Sequence, residues 1–151
     1  MEKLIQKHEY MTKALKTLQQ ALHTFALFNK EHIKYNPHIT YEEELATYRD
    51  SVIQRFEYSV DLFWKYLKKY LENANLSPDI KIPSEIIRTA NSHGLISLDE
   101  AETIITMIKS RNMTSHIYVE EFANLLAEEI PKYYETLNLV INKLTPVVSN
   151  E

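Results

Sequence analysis

Hydrophobic residues recur at spacings of three and four in the first part of the chain, from about Glu2 to Lys34. The repeat comprises Met11, Leu15, Leu18, Leu22 and Phe25. One apolar stripe at this spacing predicts a long helix with one buried face. The stretch KYNPHITYEEE interrupts the pattern, and its Asn-Pro step predicts a turn. Thr40 followed by Glu43 then predicts a capping box that opens the next helix.

A second helix is predicted from Tyr41 to Asn73. Its stripe consists of Ile53, Phe56, Val60, Phe63, Leu67 and Tyr70, and Trp64 and Tyr66 widen it. Two long helices with narrow apolar stripes are typical of an antiparallel pair within a bundle.

A short helix is predicted next, after the linker NANLSPDIKIPSE. Ser84 is its expected N-cap, it runs from about Glu85 to His93, and Gly94 is the natural left-handed stop. Ser97 with Glu100 predicts a second capping box. The helix that it opens carries Leu98, Ala101, Ile104, Ile105 and Ile108.

The last helix is predicted to start near Tyr118 or Val119, and Pro131 should kink it or split it. Its apolar positions are Phe122, Leu125, Leu126, Ile130, Leu137, Val140, Ile141 and Leu144. With one Gly and five Pro in 151 residues, the chain lacks hairpin turn chemistry. We therefore predict an all-α protein with a single domain over residues 1–151. Its expected architecture is an up-and-down four-helix bundle with one extra short helix before the third long helix.

The amino-acid composition excludes several kinds of site and function. The chain has no Cys, which excludes disulfides and thiolate metal sites. It shows no signal-peptide core and no apolar run of about 20 residues, so we expect a cytoplasmic protein without membrane contact. The net charge of −4 gives no general reason for nucleic-acid binding, which would require a local basic patch. Neither a Gly-rich phosphate loop nor a His and carboxylate ligand set occurs, so we expect no cofactor and no metal.

The polar junction KSRNMTSHIYVEEF, residues 109–122, is the candidate site. In a straight helix Arg111 and His116 would point about 140° apart. Asn112 and Ser115 favour caps over helix interiors, so the helix should bend or end here and let the Arg and His converge. In a locally extended backbone, Tyr118 would share a side with His116. The structural alternative for Arg111 and His116 is ordinary capping and solvation of a helix end, and for Asn112 and Ser115 it is capping. For Tyr118 it is packing at the start of the last helix.

Three segments together resemble one family. RNMTSHIY resembles the R-x4-6-H motif of the HEPN domain superfamily, in the form R-x4-H-x-Y. RDSVIQRFEYSVDLFWKYLKKYLE (49–72) and SEIIRTANSHGLI (84–96) resemble its branch of nucleotidyltransferase substrate-binding-like proteins. The likeness covers roughly residues 49–130. Two positions depart from it, because Val119 stands where an Asp or Asn is usual and Pro131 is unusual in the last helix.

The resemblance implies a homodimeric, metal-independent endoribonuclease toxin that cleaves RNA. Arg111 and His116 would be its catalytic residues, with Asn112, Ser115, Arg55 and Glu57 in support. It also implies a minimal nucleotidyltransferase antitoxin as partner, which would silence the toxin by transferring AMP to Tyr118.

Two alternatives remain open. One is a non-catalytic substrate-binding or regulatory subunit of a nucleotidyltransferase, and the other is an interaction bundle with a vestigial motif. An exposed ion pair is the structural alternative for Arg55 and Glu57. Lys65, Lys68 and Lys69 could contact RNA or simply form a solvated face.

Overall fold

The computed structural model describes residues 1–114 and 119–147. Five helices follow one another in this part of the chain, and it contains no strand. They are α1 (Glu2–Glu31), α2 (Tyr41–Asn73), α3 (Pro83–Ser92), α4 (Leu98–Thr114) and α5 (Glu120–Lys143). The all-α prediction is confirmed, with four main helices and one short helix before the third of them.

The predicted stripes form the core. Met11, Leu15 and Leu18 of α1 are buried, and Leu22 and Phe25 are partly buried against the same core. Five stripe residues of α2 are also buried, namely Ile53, Phe56, Val60, Phe63 and Leu67. One hydrophobic cluster draws side chains from all five helices. We therefore propose that residues 1–151 form one domain.

Helix α2 is the central element, because it packs against α1, α3, α4 and α5. The pairing of α1 with α2 is the most extensive, and α5 lies against both. Helix α4 contacts α2 and α5. Side chains on α2 can therefore meet both the end of α4 and the start of α5, where the predicted motif lies.

Helix ends confirm most of the predicted signals. The Thr40 hydroxyl accepts from the Glu43 amide at 3.1 Å. The reciprocal capping box forms between Ser97 and Glu100, whose two bonds measure 3.0 and 2.8 Å. Gly94 has a φ of 73° and ends α3 as predicted. The amides of Gly94 and Leu95 reach back to carbonyls of the last turn, which is a Schellman ending.

Two boundary predictions were wrong, and one of the two alternatives predicted for Pro131 is excluded. Helix α1 ends at Glu31 rather than Lys34, because His32 adopts the left-handed conformation (φ 55°). The N-cap of α3 is Ile82 rather than Ser84, since Pro83 takes the first helical position, where its fixed φ and missing N–H cost nothing. Helix α5 is not split at Pro131 but continues across it. Pro131 itself is exposed.

Candidate active site

Arg111 lies in the last turn of α4 and is partly buried. The Thr114 hydroxyl donates to the Arg111 carbonyl at 2.7 Å and so satisfies one of the open acceptors at the helix end. Val119 has an extended backbone (φ −118°, ψ 129°) and precedes α5. Helices α4 and α5 are therefore separate, and Arg111 is the last charged residue of α4.

Two carboxylates of α2, Glu57 and Asp61, hold the Arg111 guanidinium, and we call them the acidic pair. Nε and Nη2 donate to the two oxygens of Asp61 at 3.2 and 3.1 Å, a bidentate contact. Nη1 lies 3.3 Å from Oε2 of Glu57. Since the two acids are four residues apart, they occupy one face of α2. They fix the plane of the guanidinium as well as its position.

The electrostatics of this contact keep Arg111 charged. The hydrogen bond to Asp61 raises the pKa of Arg111, partial burial lowers it, and the charges of Asp61 and Glu57 raise it further, with a net upward shift. Arg111 therefore stays cationic, while the two carboxylates of the acidic pair offset its charge.

None of the other predicted site residues except Glu57 is seen to contact the Arg111 side chain in the described part of the chain. His116, Tyr118 and Ser115 lie outside the described residues. Asn112 is exposed on α4, where Thr114 rather than Asn112 bonds the helix end. Arg55 is exposed and donates to the Ser51 hydroxyl at 3.3 Å.

Arg55 and Glu57 are not brought together. Residues two apart on a helix point about 200° from each other. Arg55 lines a shallow depression between α1 and α2, with Gln20, Thr24 and Tyr48. Glu57 faces α4 on the other side and pairs with Arg111. Of the two proposed supporting residues in QRFE, only Glu57 therefore contacts Arg111.

A cleft of about 260 Å³ adjoins Arg111. Its apolar wall combines Ile53 of α2 with Val119 and the first turns of α5, and its polar rim includes Glu57 and Thr114. The cleft is lined by Asp50, Ile53, Gln54, Glu57, Thr114, Val119, Phe122, Ala123 and Leu126. Glu57 and Thr114 line this cleft and also contact Arg111, so these two residues connect the arginine to a small, half-apolar depression.

A second arginine, Arg49, is a further polar residue beside the cleft. It is only 5% exposed. Its Nη1 donates to the Asn124 side-chain oxygen at 2.9 Å and lies 3.7 Å from Glu120. Its Nη2 lies 3.1 Å from Asp50, which lines the cleft. Arg49 therefore fastens α2 to the first turn of α5.

Sequence reasoning did not single out Arg49 or Asp61. The available signal was periodicity, since Arg49, Ile53, Glu57 and Asp61 recur every four residues in RDSVIQRFEYSVD. Three charged residues on one stripe of an otherwise amphipathic helix indicate a polar contact with a neighbouring element. Among the described residues, no group of His and carboxylate side chains could hold a metal ion.

The sequence profile of the family described as nucleotidyltransferase substrate binding protein like matches residues 6–146. The chain belongs to this family. The family resemblance identified from the three sequence segments is thereby confirmed. No curated protein sequence matches the chain significantly.

Solved structures share the fold of this nucleotidyltransferase substrate-binding-like protein. A protein of Thermus thermophilus is 30% identical, with 90% of this chain and 99% of that chain covered and a TM-score of 0.69. A Haemophilus influenzae protein with the fold of a nucleotidyltransferase substrate-binding domain is 21% identical, covers 92% and 99%, and has a TM-score of 0.75. A tri-AMPylated Shewanella oneidensis HEPN toxin, solved with its MNT antitoxin, is 16% identical, covers 93% and 95%, and has a TM-score of 0.68.

Within residues 1–114 and 119–147, no helix has both the length and the apolar character needed to cross a bilayer.

Proposed function

We propose that this protein is a HEPN-type toxin, a metal-independent endoribonuclease that acts as a homodimer in the cytoplasm. Arg111 is its phosphate-binding and transition-state residue, and His116 is its general acid or base. The observation that carries the proposal is the bidentate contact between Arg111 and Asp61. A guanidinium fixed in plane beside a cleft, five residues before a His in the family motif, is suited to orient a phosphodiester.

The chemistry requires three roles. A base removes the proton from the ribose 2′-hydroxyl, whose oxygen attacks the adjacent phosphorus. An acid protonates the departing 5′-oxygen, and a cation stabilises the charge on the pentavalent phosphorus. Histidine serves as base or acid near neutral pH, and arginine supplies the cation. One chain offers one His and one Arg of this kind, so two chains would supply both proton-transfer groups.

Tyr118 is the proposed regulatory residue. By resemblance to the family, a partner nucleotidyltransferase would transfer AMP to its hydroxyl and so silence the toxin. The phenolic oxygen would attack the α-phosphorus of ATP, with pyrophosphate leaving and the phenolic proton passing to solvent or a base. A bulky anion close to Arg111 would then compete with the RNA phosphate. The S. oneidensis toxin of the same fold is tri-AMPylated, which supports the proposal.

A second candidate function is a non-catalytic subunit that binds or regulates a nucleotidyltransferase. It is favoured by the family's description and by the acidic pair. Because Glu57 and Asp61 already neutralise Arg111, the arginine could serve only to join α2 to α4. Arg49, which joins α2 to α5, shows that this fold uses arginine in that way.

Cleavage of RNA in the presence of a chelator separates the two functions. The wild-type protein is compared with an Arg111→Ala/His116→Ala double variant. A matched control replaces an exposed Arg and an exposed His elsewhere, Arg88→Ala/His23→Ala. Cleavage by wild type and control but not by the double variant supports the toxin. Equal cleavage in all three, or none in any, contradicts it.

Modification of Tyr118 is tested by mass spectrometry after incubation with a minimal nucleotidyltransferase and ATP. The wild-type chain should gain one or more AMP masses, and Tyr118→Phe should gain none. Tyr58→Phe is the control, since Tyr58 is 58% exposed and lies on α2. An unchanged adduct on Tyr118→Phe would remove Tyr118 from the proposal.

A further inference from the structure

Three lysines converge on one groove between the first turns of α1 and the second half of α2. The groove has a volume of about 200 Å³. It is lined by Lys3, Gln6, Lys7, Tyr10, Leu62 and Lys65, and we call it the lysine groove. We propose that the lysine groove binds single-stranded RNA and continues the substrate path that begins at Arg111.

The charge of the groove is the first reason. Lys3 and Lys65 are exposed, and Lys7 is partly buried. In the described part of the chain none of the three forms an ion pair, whereas Arg111 is held by two carboxylates. The whole chain has a net charge of −4, so three unneutralised cations around one groove are a local reversal of charge. Such a reversal raises the local concentration of a polyanion.

The second reason is that the positions of these lysines lower the stability of the folded protein. Lys3 and Lys7 are four residues apart on α1, and like charges at this spacing destabilise a helix. Lys65 adds a third positive charge from α2. A purely structural role would favour an acid at one of these positions. Repulsion among these positive charges lowers stability, which indicates that a negatively charged ligand neutralises them.

The aromatic residue in the groove distinguishes RNA from a simple anion. Tyr10 is 47% exposed and follows Lys3 and Lys7 on the same face of α1. An exposed ring among lysines can stack on a base while the lysines contact phosphates, which is how many proteins hold single strands without sequence preference. Leu62 adds an apolar surface at the floor of the groove.

The lysine groove and the candidate active site share helix α2. Asp61, which holds Arg111, immediately precedes Leu62 in the groove. Lys65 lies one helical turn beyond Asp61, about 6 Å along the axis. A strand with a phosphate near Arg111 would thus need to cross only the exposed ridge of α2 to reach the lysines. The inference deepens the proposed function, because RNA is the ligand in both.

The experiment measures binding without cleavage, so that the groove and the nuclease can fail separately. The probe is a fluorescein-labelled 2′-O-methyl single-stranded RNA of about 12 nucleotides, long enough for one binding site. It cannot be cleaved through the 2′-oxygen. Fluorescence anisotropy is recorded across salt concentrations for the wild-type chain and a Lys3→Gln/Lys7→Gln/Lys65→Gln variant. The control, Lys16→Gln/Lys30→Gln/Lys132→Gln, makes the same charge change at exposed positions elsewhere.

The groove variant should bind about tenfold or more weakly, and the slope of log affinity against log salt should decrease by about 2, from about 0.7 for each lost phosphate contact. The control should keep the wild-type slope. Tyr10→Ala should weaken binding about tenfold, and Tyr10→Phe should not. The melting temperature of Lys7→Gln should equal or exceed that of wild type, which a structural lysine would not allow.

Two results would overturn the inference. One is a groove variant with the affinity and salt slope of wild type. The other is a groove variant that loses binding only to a poly-glutamate peptide, which would make the groove a docking surface for an acidic protein. If the groove variant loses RNA binding but Arg111 and His116 prove dispensable for cleavage, the groove stands and the nuclease proposal fails.

Discussion

Replacing Asp61 with Asn tests whether the acidic pair positions Arg111 or merely neutralises it. The carboxylate accepts from Nε and Nη2 at 3.2 and 3.1 Å, and an amide can accept only one of these two bonds. The Asp61 side chain is 44% exposed and that of Arg111 is 22% exposed, so water screens the pair. We therefore expect a loss of only about 1 kcal/mol in the free energy of unfolding, or about 4 °C in Tm.

The effect on RNA cleavage should be larger and should separate kcat from KM. Once Asp61 no longer fixes the guanidinium plane, kcat should fall about tenfold, which corresponds to about 1.4 kcal/mol of transition-state stabilisation. KM should stay constant or fall, because one negative charge beside the proposed phosphate site is gone. A residue that acts only through stability would move neither constant in the folded protein.

The assay combines urea denaturation with initial rates of RNA cleavage at several substrate concentrations. Asp79→Asn makes the same charge change at an exposed position in the linker before α3 and should behave as wild type. If Asp61→Asn keeps the wild-type kcat while Arg111→Ala is inactive, Asp61 does not position the arginine. A rise in KM would likewise refute the reasoning on charge.

Three further predictions concern stability. Glu44→Gln should cost about 1–3 kcal/mol in urea denaturation, because the 2%-exposed carboxylate accepts from two amides of the α1–α2 loop; a smaller loss would mean that water replaces it. Burial alone would raise the pKa of Glu100, but hydrogen bonds from Lys143 and Ser97 outweigh it and lower that pKa. The stability that Glu100 contributes should be complete above a pH of about 4.3 and should decline as pH falls through the lowered pKa. Measured as Tm against pH, this dependence should disappear in Glu100→Gln. Gly94→Ala should cost about 1 kcal/mol, since φ is 73°, and an unchanged Tm would contradict the strain.

The helices were predictable because their signals are local. Periodicity placed α2 at Tyr41–Asn73, its observed bounds, and the Ser97 capping box and the Gly94 stop each depend on neighbours within a few residues. The start of α3 was misplaced because two local signals competed. Pro83 at the first helical position prevailed over Ser84 as a cap.

The contacts of the site were less predictable because they join residues far apart in the chain. Arg111 and Asp61 are 50 residues apart, and their pairing depends on how α4 crosses α2. Arg49 and Asn124 are 75 apart and depend on α5 in the same way. Sequence could place Glu57 near the motif only through family resemblance, and it gave no reason to prefer Glu57 over Arg55. That choice follows from which face of α2 meets α4.

The charge balance at Arg111 constrains any function assigned to it. Arg111 contributes +1 and the acidic pair −2, so these three groups carry a net charge of −1. A phosphate approaching this cluster alone would be repelled. RNA cleavage by this chain therefore requires cations from elsewhere, either from the lysine groove along α2 or from a second chain. A nuclease built in this way should lose activity steeply with added salt, whereas an arginine that only joins α2 to α4 predicts no such dependence.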